Sequence, residues 1–337
     1  MSVRVAINGF GRIGRLVMRA AFEARRDDIE IVAINDLGSV AANAQLLKYD
    51  SVHGHFPGTV RTGDDWMDIG QGEVRVLAER DPVKLPWKEL GVDVALECTG
   101  HFTKRDAAAK HLEAGAKRVI VSAPADGADF TLVIGVNGDW LESKHRVISN
   151  GSCTTNCLAP VAFVLNEGVG IEHGFMTTIH SYTGDQHTID TLHQDPRRAR
   201  AAALSMIPTS TGAARALGMV LPSLAGKLDG TAIRVPTANV SLIDLTFTAS
   251  RDTDRAEINQ LMIDAAGASR FKGIVGLNDE PLVSVDFNHN AHSSTFDLTQ
   301  TVVIGKRFVR VLSWYDNEWG FSNRMVDAAA LAGKLGD

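Results

Sequence analysis

Three glycines set directly after an apolar run constrain this chain more than any other feature. Val3–Asn8 reads as a strand and residues 11–24 as an amphipathic helix, with Gly9, Gly11 and Gly14 spanning the turn and the first helical turn. The spacing matches a dinucleotide fingerprint. The first glycine makes the tight turn, the second admits a pyrophosphate close to the backbone, and the third lets helix and strand pack closely. The phosphates would rest on the helix N-terminus. A second strand, Ile29–Asn35, runs into Asp36, 22 residues after Gly14. A carboxylate there accepts from both ribose hydroxyls and repels a 2′-phosphate, which favours NAD over NADP. The plainer reading, a glycine-rich turn with an acidic cap, is the weaker one because the whole strand–turn–helix–strand–acid unit is present.

Further apolar runs at 92–98, 118–122 and 132–136, with a helical pattern at 103–114, continue the alternation of strands and helices. They predict an α/β domain with a doubly wound parallel sheet (a Rossmann arrangement) over residues 1–150. After residue 150 the pattern changes. A long helix starts at Cys153, followed by strand-like runs at 175–180, 231–235, 240–248, 301–304 and 308–314 and a helix at 254–266. This predicts a catalytic domain over 151–318 of α+β type with a largely antiparallel sheet. The helical tail, about 319–337, is expected to pack back on the first domain. Residues 181–206 have weak periodicity for their length, and loops that long tend to be functional.

The chain has 337 residues, 45% hydrophobic and 22% charged, as expected of a soluble two-domain protein. No basic segment precedes a long apolar stretch at the N-terminus, and no run is long enough to span a membrane. Cys98, Cys153 and Cys157 are a sparse, odd set, which points to a reducing compartment and a cytoplasmic location. The net charge of −6 gives no support to nucleic-acid binding. Within this acidic chain, Arg197-Arg198-Ala199-Arg200 with Arg215, Lys227 and Arg234 reads either as a solvated or subunit-contact face or as a local site for a phosphorylated small molecule.

Cys153 carries the chemistry. The turn-like Asn150-Gly151-Ser152 precedes it, and Leu158, Val161, Ala162 and Leu165 follow at helical spacing. The thiol therefore opens a helix, where dipole and N–H groups favour thiolate, and a histidine can lower it further and act as base. Cys157, one helical turn on, has no further Cys or His spacing to complete a metal site and reads as packed structure. Cys98, at the end of an apolar strand, is expected in the core. His53, His187 and His193 read as surface or loop residues.

Ser152-Cys153-Thr154-Thr155-Asn156-Cys157 resembles the active-site segment of the phosphorylating glyceraldehyde-3-phosphate dehydrogenases, bacterial type. Ile7-Asn8-Gly9-Phe10-Gly11-Arg12-Ile13-Gly14-Arg15, Leu47-Lys48-Tyr49-Asp50-Ser51-Val52-His53-Gly54, Ser210-Thr211-Gly212-Ala213-Ala214, Arg234-Val235-Pro236-Thr237 and Ser313-Trp314-Tyr315-Asp316-Asn317-Glu318 are similar to the same family, in its order. The resemblance runs from about residue 3 to about 330.

The resemblance implies Cys153 as nucleophile and His180 as base. It implies NAD contacts from Gly9, Gly11, Arg12, Ile13, Gly14, Asp36, Arg80, Ser122 and Asn317. One phosphate site falls on Ser152, Thr154, Thr211 and Gly212. The other falls on Thr183, Asp185 and Arg198, with Arg200 as the alternative, and Arg234 reaches toward both. It also implies a homotetramer in which residues 181–206 lie against a neighbour's cofactor, glyceraldehyde 3-phosphate and inorganic phosphate as substrates, and no metal. Erythrose-4-phosphate oxidation is the alternative activity, and an NAD-binding regulatory or adhesion role the alternative of another class. The chain departs from many NAD-specific bacterial members at Asp190-Thr191-Leu192-His193, where they carry Leu-Pro after the aspartate, so NAD selectivity rests more heavily on Asp36. It also has Ala125 after Ser122-Ala123-Pro124, without the basic residue many members place nearby; no chemical consequence is expected there.

Overall fold

The computed structural model describes residues 2–336; the end positions 1 and 337 of the expected domains lie outside the described residues. The chain forms two compact units. One takes the chain to Ile134, then Gly138–Ser152 and the stretch from Ser322; the other takes Gly135–Asn137 and Cys153–Phe321.

Short β-branched segments in the first unit make six parallel strands: β1 (Val3–Asn8), β2 (Ile29–Asn35), β3 (Glu73–Leu77), β4 (Val94–Glu97), β5 (Arg118–Val121) and β6 (Val147–Ser149). Their order across the sheet is 3-2-1-4-5-6. Phe130–Thr131 extends it beyond β6, and Trp66–Asp68 and Arg61–Thr62 extend it antiparallel beyond β3. Val5, Ile7, Val94, Leu96, Val119 and Ile120 are buried, as strands covered on both faces require. The order reverses between β1 and β4, the switch point where doubly wound sheets bind ligands at the carboxyl ends of their strands.

Helix α1 (Arg12–Glu23) turns Leu16, Val17, Ala20 and Ala21 inward. Helix α2 (Val40–Lys48), absent from the sequence reading, is capped by Ser39, whose hydroxyl accepts the Ala42 N–H at 3.2 Å. The expected strand at 132–136 does not form. Leu132 and Val133 are buried there, but Gly135 at φ +84° turns the chain and the strand is Phe130–Thr131. The expected helix at 103–114 is two short ones, Arg105–Ala108 and Lys110–Glu113, with a break at Ala109.

The second unit opens with α3 (Cys153–Val169), which buries Leu158, Val161, Ala162 and Leu165. Its sheet contains β7 (Ile171–Ser181), β8 (Ile207–Ser210), β9 (Leu228–Val235), β10 (Ser241–Ala249), β11 (Val275–Asn278), β12 (Ser294–Asp297), β13 (Val302–Ile304) and β14 (Phe308–Tyr315). The order is 8-9-7-10-14-12-11, with β13 on β14; only the β7–β9 and β11–β12 pairs are parallel. Strict alternation along β10 turns Ile243, Leu245 and Phe247 inward, and α3 packs against β10, β12 and β14.

Helix α4 (Ala213–Val220) follows β8, and α5 (Arg255–Gly267) is capped by Asp254, which accepts the Glu257 N–H at 2.9 Å. Helix α6 (Trp319–Gly333) starts in the second unit and ends in the first, where its Asp327 pairs with Arg26 and Arg324. Residues 182–206 hold one short 3-10 turn, Ala202–Leu204, and are pinned by the Arg198–Asp185 and Arg200–Asp190 ion pairs, each 2.7 Å. Among the described residues no helix is long and apolar enough to cross a membrane.

Candidate active site

A cleft of about 410 Å³ opens on the first unit at the sheet's switch point, within the size range of small-molecule sites. Gly9, Gly11, Asp36 and Arg80 line it, together with Asn8, Asn35, Glu79, Cys98, Thr99 and His101. The three glycines have separate physical reasons. Gly9 sits at φ +92°, and a Cβ there would strike the Thr99 backbone at 2.6 Å. A Cβ on Gly14 would lie 2.1 Å from the Gly9 carbonyl oxygen. A Cβ on Gly11 would meet no protein atom within 4 Å, so this residue faces open cleft. That is the cradle a dinucleotide pyrophosphate needs.

Asp36 is held at the end of β2 by two backbone donors, Phe10 N–H at 2.9 Å and Gly38 N–H at 2.8 Å. Lone pairs remain on the carboxylate for ribose hydroxyls. The Arg12 side chain is committed elsewhere, to Asp50. Burial pushes Asp50 up, but Arg12 and the His53 and Val52 N–H groups outweigh it and hold the carboxyl at about 2. Arg12 and Ile13 therefore offer a phosphate the backbone of the first helical turn. Ser122 donates its N–H to the Glu97 carbonyl, and its hydroxyl meets the Cys98 thiol. Cys98 thus borders the cleft, a correction to the expected core position: β4 ends at Glu97, and Cys98 turns out with the loop.

Replacing Gly11 or Gly14 with alanine separates cleft space from packing. Gly11→Ala is expected to keep its melting temperature while weakening NAD binding about tenfold or more, because the methyl occupies the phosphate cradle. Gly14→Ala is expected to cost about 1–3 kcal/mol of stability through overpacking. Calorimetry and thermal melts on the two variants distinguish these effects, and equal NAD affinity in wild type and Gly11→Ala would refute the cradle.

In the second unit Cys153 is the first residue of α3, and His180 lies next to the end of β7. Their Sγ and Nε2 atoms are 3.5 Å apart. His180 Nδ1 is 2.7 Å from the Ser181 carbonyl, which can only accept, so Nδ1 carries the proton and Nε2 presents its lone pair to the thiol. Arg234 is the register partner of His180 on β9, and its Nη1 donates to the same Ser181 carbonyl and to Thr183 Oγ1, each at 3.1 Å.

Burial, and then the charge of Arg234, push His180 down to about 3. Burial likewise pushes the Cys153 thiol up, opposed by Arg234 and by Thr154 through its N–H and hydroxyl. Cys153 keeps partial solvent exposure, so the upward push is incomplete. Burial thus works against the thiolate, while Arg234 and the start of α3 work for it, and His180 Nε2 is placed to take the thiol proton. Cys157 is wholly buried, meets Ser294 Oγ at 3.3 Å, and is pushed up to about 12 by burial, which leaves it an inert packed thiol.

Of the anion-site candidates, Arg234 and Arg198 act on His180, and Thr183 accepts from Arg234. Arg234 Nε is buried without a hydrogen-bond partner, as expected of a group that a ligand completes. Arg198 reaches Asp185 at 2.7 Å and Thr209 at 3.0 Å, and its charge acts on both Arg234 and His180. Arg200 pairs with Asp190 on the exposed side of the loop. Thr211 and Gly212 lead into α4, Thr154 is the second residue of α3, and Ser152, the residue before α3, belongs to the first unit. Asn317 Oδ1 accepts from Ser181 Oγ at 2.8 Å and Ser241 Oγ at 2.9 Å, which fixes its amide.

Sequence reasoning gave Tyr315 no role. Its buried hydroxyl bridges Thr154 Oγ1 at 2.8 Å and Thr178 Oγ1 at 2.9 Å, and its ring stands edge-on to His180. The only available signal was its place in the quoted Trp-Tyr-Asp-Asn run.

A dinucleotide cleft at a Rossmann switch point in one unit, and a cysteine–histidine pair beside a half-buried arginine in the other, are the parts of a pyridine-nucleotide dehydrogenase. Residues 3–105 match the family model described as glyceraldehyde 3-phosphate dehydrogenase, NAD binding domain, and residues 152–317 match that of the C-terminal domain of the same enzyme. The chain belongs to the glyceraldehyde-3-phosphate dehydrogenase family, and its cofactor is NAD. It is 67% identical to a glyceraldehyde-3-phosphate dehydrogenase of Xanthobacter flavus, over 100% of both chains. It is 62% identical to that of Cereibacter sphaeroides over 99% of this chain and 100% of the relative, and 54% identical to that of Geobacillus stearothermophilus over 100% of both.

Proposed function

We propose that this enzyme oxidises glyceraldehyde 3-phosphate with NAD and captures the acyl group on inorganic phosphate, giving 1,3-bisphosphoglycerate. The observation that carries the reading is the 3.5 Å approach of Cys153 Sγ to an imidazole nitrogen whose proton is fixed on the opposite side of the ring.

Cys153 sulfur adds to the aldehyde carbon, and its proton passes through His180 Nε2 to the carbonyl oxygen, forming a thiohemiacetal. Bound NAD supplies the acceptor for the hydride that leaves the substrate carbon. His180 Nε2 takes the hydroxyl proton in that step, and a thioester remains on Cys153. Arg234, with the donors at Thr154, Thr211 and Gly212, holds inorganic phosphate for attack on the thioester. The C–S bond breaks, the thiol is restored, the acyl phosphate departs and one proton goes to solvent. Thr183 and Arg198 hold the substrate's own phosphate, with Asp185 orienting the Arg198 guanidinium at 2.7 Å; Arg198 is preferred to Arg200 because its charge reaches the pair.

The NAD contacts assigned to Gly9, Gly11, Arg12, Ile13, Gly14, Asp36, Arg80, Ser122 and Asn317 belong to the same proposal. So does a homotetramer: Ile189, Leu192, Leu204 and Met206 on the 182–206 loop are strongly exposed, with Leu192 at 97%, and such apolar surface marks a contact face. Three free cysteines support a cytoplasmic location.

The test is NADH formation with glyceraldehyde 3-phosphate or erythrose 4-phosphate, each with and without phosphate, and with NADP as alternative oxidant. Phosphate-dependent turnover strongest with the triose and NAD is expected; preference for the tetrose would replace the substrate assignment.

Arg234→Gln separates charge from chemistry. The arginine lowers both the thiol and the imidazole, so its loss moves the pH midpoint of Cys153 alkylation by iodoacetamide to higher pH. The KM for phosphate should rise about ten- to hundredfold, the scale of a charge-assisted hydrogen bond. A midpoint that stays put or moves to lower pH would contradict this role for Arg234.

A further inference from the structure

The 182–206 loop has little secondary structure, yet a closed ring of hydrogen bonds organises it around Arg198. The Arg198 Nη1 donates to Asp185 Oδ2 at 2.7 Å, and its Nε donates to Thr209 Oγ1 on β8 at 3.0 Å. The Thr209 hydroxyl donates in turn to Asp195 Oδ2 at 2.7 Å. The Asp195 N–H donates to His193 Nδ1 at 2.9 Å, and His193 Nε2 lies 3.3 Å from Asp185 Oδ1, which closes the ring. The steps proposed at Cys153 use Arg198 and Asp185 but give His193 no task.

The direction of the His193 bond follows from its partner. Burial works against ionisation of Asp185, but Arg198 and His193 outweigh it and draw the carboxyl below its ordinary range. An ionised carboxylate only accepts, so His193 Nε2 carries a proton and donates to Oδ1. This holds whichever state Nδ1 takes, because Nδ1 faces both the Asp195 N–H and, at 3.2 Å, the Asp195 carbonyl. Asp185 is half exposed, whereas the His193 ring is mostly covered. The ring therefore pins one oxygen of a carboxylate that would otherwise turn in solvent, and the other oxygen meets Arg198 along a fixed direction.

That direction matters for what Arg198 can bind. Its guanidinium spends three N–H groups on Asp185, Thr209 and the Ser210 carbonyl. One N–H on each terminal nitrogen is left for a ligand. The charge of Arg198 acts on both Arg234 and His180, so these donors stand within electrostatic reach of the reacting pair.

We propose that His193 is a positioning residue of the substrate-phosphate site: by holding Asp185 Oδ1 it fixes the carboxylate that aims Arg198, and so favours a phosphorylated aldehyde over an unphosphorylated one. The inference rests on the assignment of Arg198 to the substrate's phosphate. It predicts a change in binding of the phosphorylated substrate and none in the chemistry at Cys153.

Steady-state kinetics of the full-length enzyme, at saturating NAD and inorganic phosphate, test this with glyceraldehyde 3-phosphate and with unphosphorylated glyceraldehyde. The variants are His193→Gln, His193→Asn and Arg198→Gln. Glutamine carries an amide N–H about where Nε2 stands and keeps the link to Asp185; asparagine keeps only the link to Asp195. In His193→Asn the KM for glyceraldehyde 3-phosphate should rise about five- to twentyfold, with kcat and the kcat/KM for glyceraldehyde within about twofold of wild type. His193→Gln should stay within about threefold of wild type on both aldehydes. An asparagine variant with an unchanged KM, or one impaired equally on both aldehydes, overturns the proposal. So does a glutamine variant as impaired as the asparagine one. Arg198→Gln should lose most of the preference for the phosphorylated aldehyde. If it keeps that preference, the phosphate-site assignment itself fails and the role of His193 falls with it; if it loses the preference while His193→Asn does not, the role of His193 alone is overturned.

Discussion

Replacing Cys153 with serine is expected to lower kcat/KM for aldehyde oxidation on the order of 10⁴-fold or more, with NAD affinity unchanged. The substitution is nearly isosteric, so α3 and its buried face should survive. What is lost is the atom's chemistry. A serine hydroxyl is far less acidic than a thiol, and an imidazole pushed down to about 3 is a weak partner for deprotonating it. The oxygen ester that would form also resists phosphate attack better than a thioester does. Stopped-flow measurement of NADH formation in a single turnover checks the outcome directly. Activity within about tenfold of wild type would mean that another group is the nucleophile.

His180→Asn is expected to slow hydride transfer by roughly a hundred- to ten-thousandfold, the range of a positioned general base. Asparagine is of similar reach and can keep a hydrogen bond to the Ser181 carbonyl, but it has no basic nitrogen facing Cys153. Alkylation of Cys153 should still run to completion in this variant, because the sulfur stays at the start of α3. An unchanged single-turnover rate would show that the proton leaves by another route. A variant slow in turnover yet normal in alkylation and NAD binding isolates the proton-transfer role.

Features that depend on a few consecutive residues were legible in the sequence. Gly9 and Gly14 are required by backbone conformation and close packing within one turn and Gly11 by the open cleft it faces, and Asp36 follows from the length of one helix and one strand. Cys153 announced itself through the turn before it and the apolar spacing after it. His180, 27 residues on, was found through the resemblance. Tyr315 stayed silent because its partner Thr154 is 161 residues away, and a tyrosine at a strand end has no local mark of function. The buried hydrogen bonds that link Trp87 to His111, His111 to Glu97 and Glu97 to Asn8 in the first unit were invisible for the same reason: each residue is ordinary alone, and only the fold gathers them. Cys98 was misjudged because an apolar run shows that a strand is buried but not which residue first leaves it. The run at 132–136 is buried without being a strand, so apolarity reported its environment and not its backbone.

The Ser181 carbonyl serves two masters, the Nδ1 proton of His180 and a guanidinium proton of Arg234. One lone-pair-bearing atom thus ties the tautomer of His180 to the arginine proposed to receive anions. Anyone redesigning this enzyme for a different acyl acceptor, say arsenate or a bulkier oxyanion, will meet that link at once. Moving Arg234 to suit the new guest releases part of the restraint that keeps the imidazole lone pair on the thiol. Acceptor choice and base strength cannot be adjusted one at a time here, and a library that varies position 234 alone should yield fewer working enzymes than one that varies it together with the residues supporting Ser181.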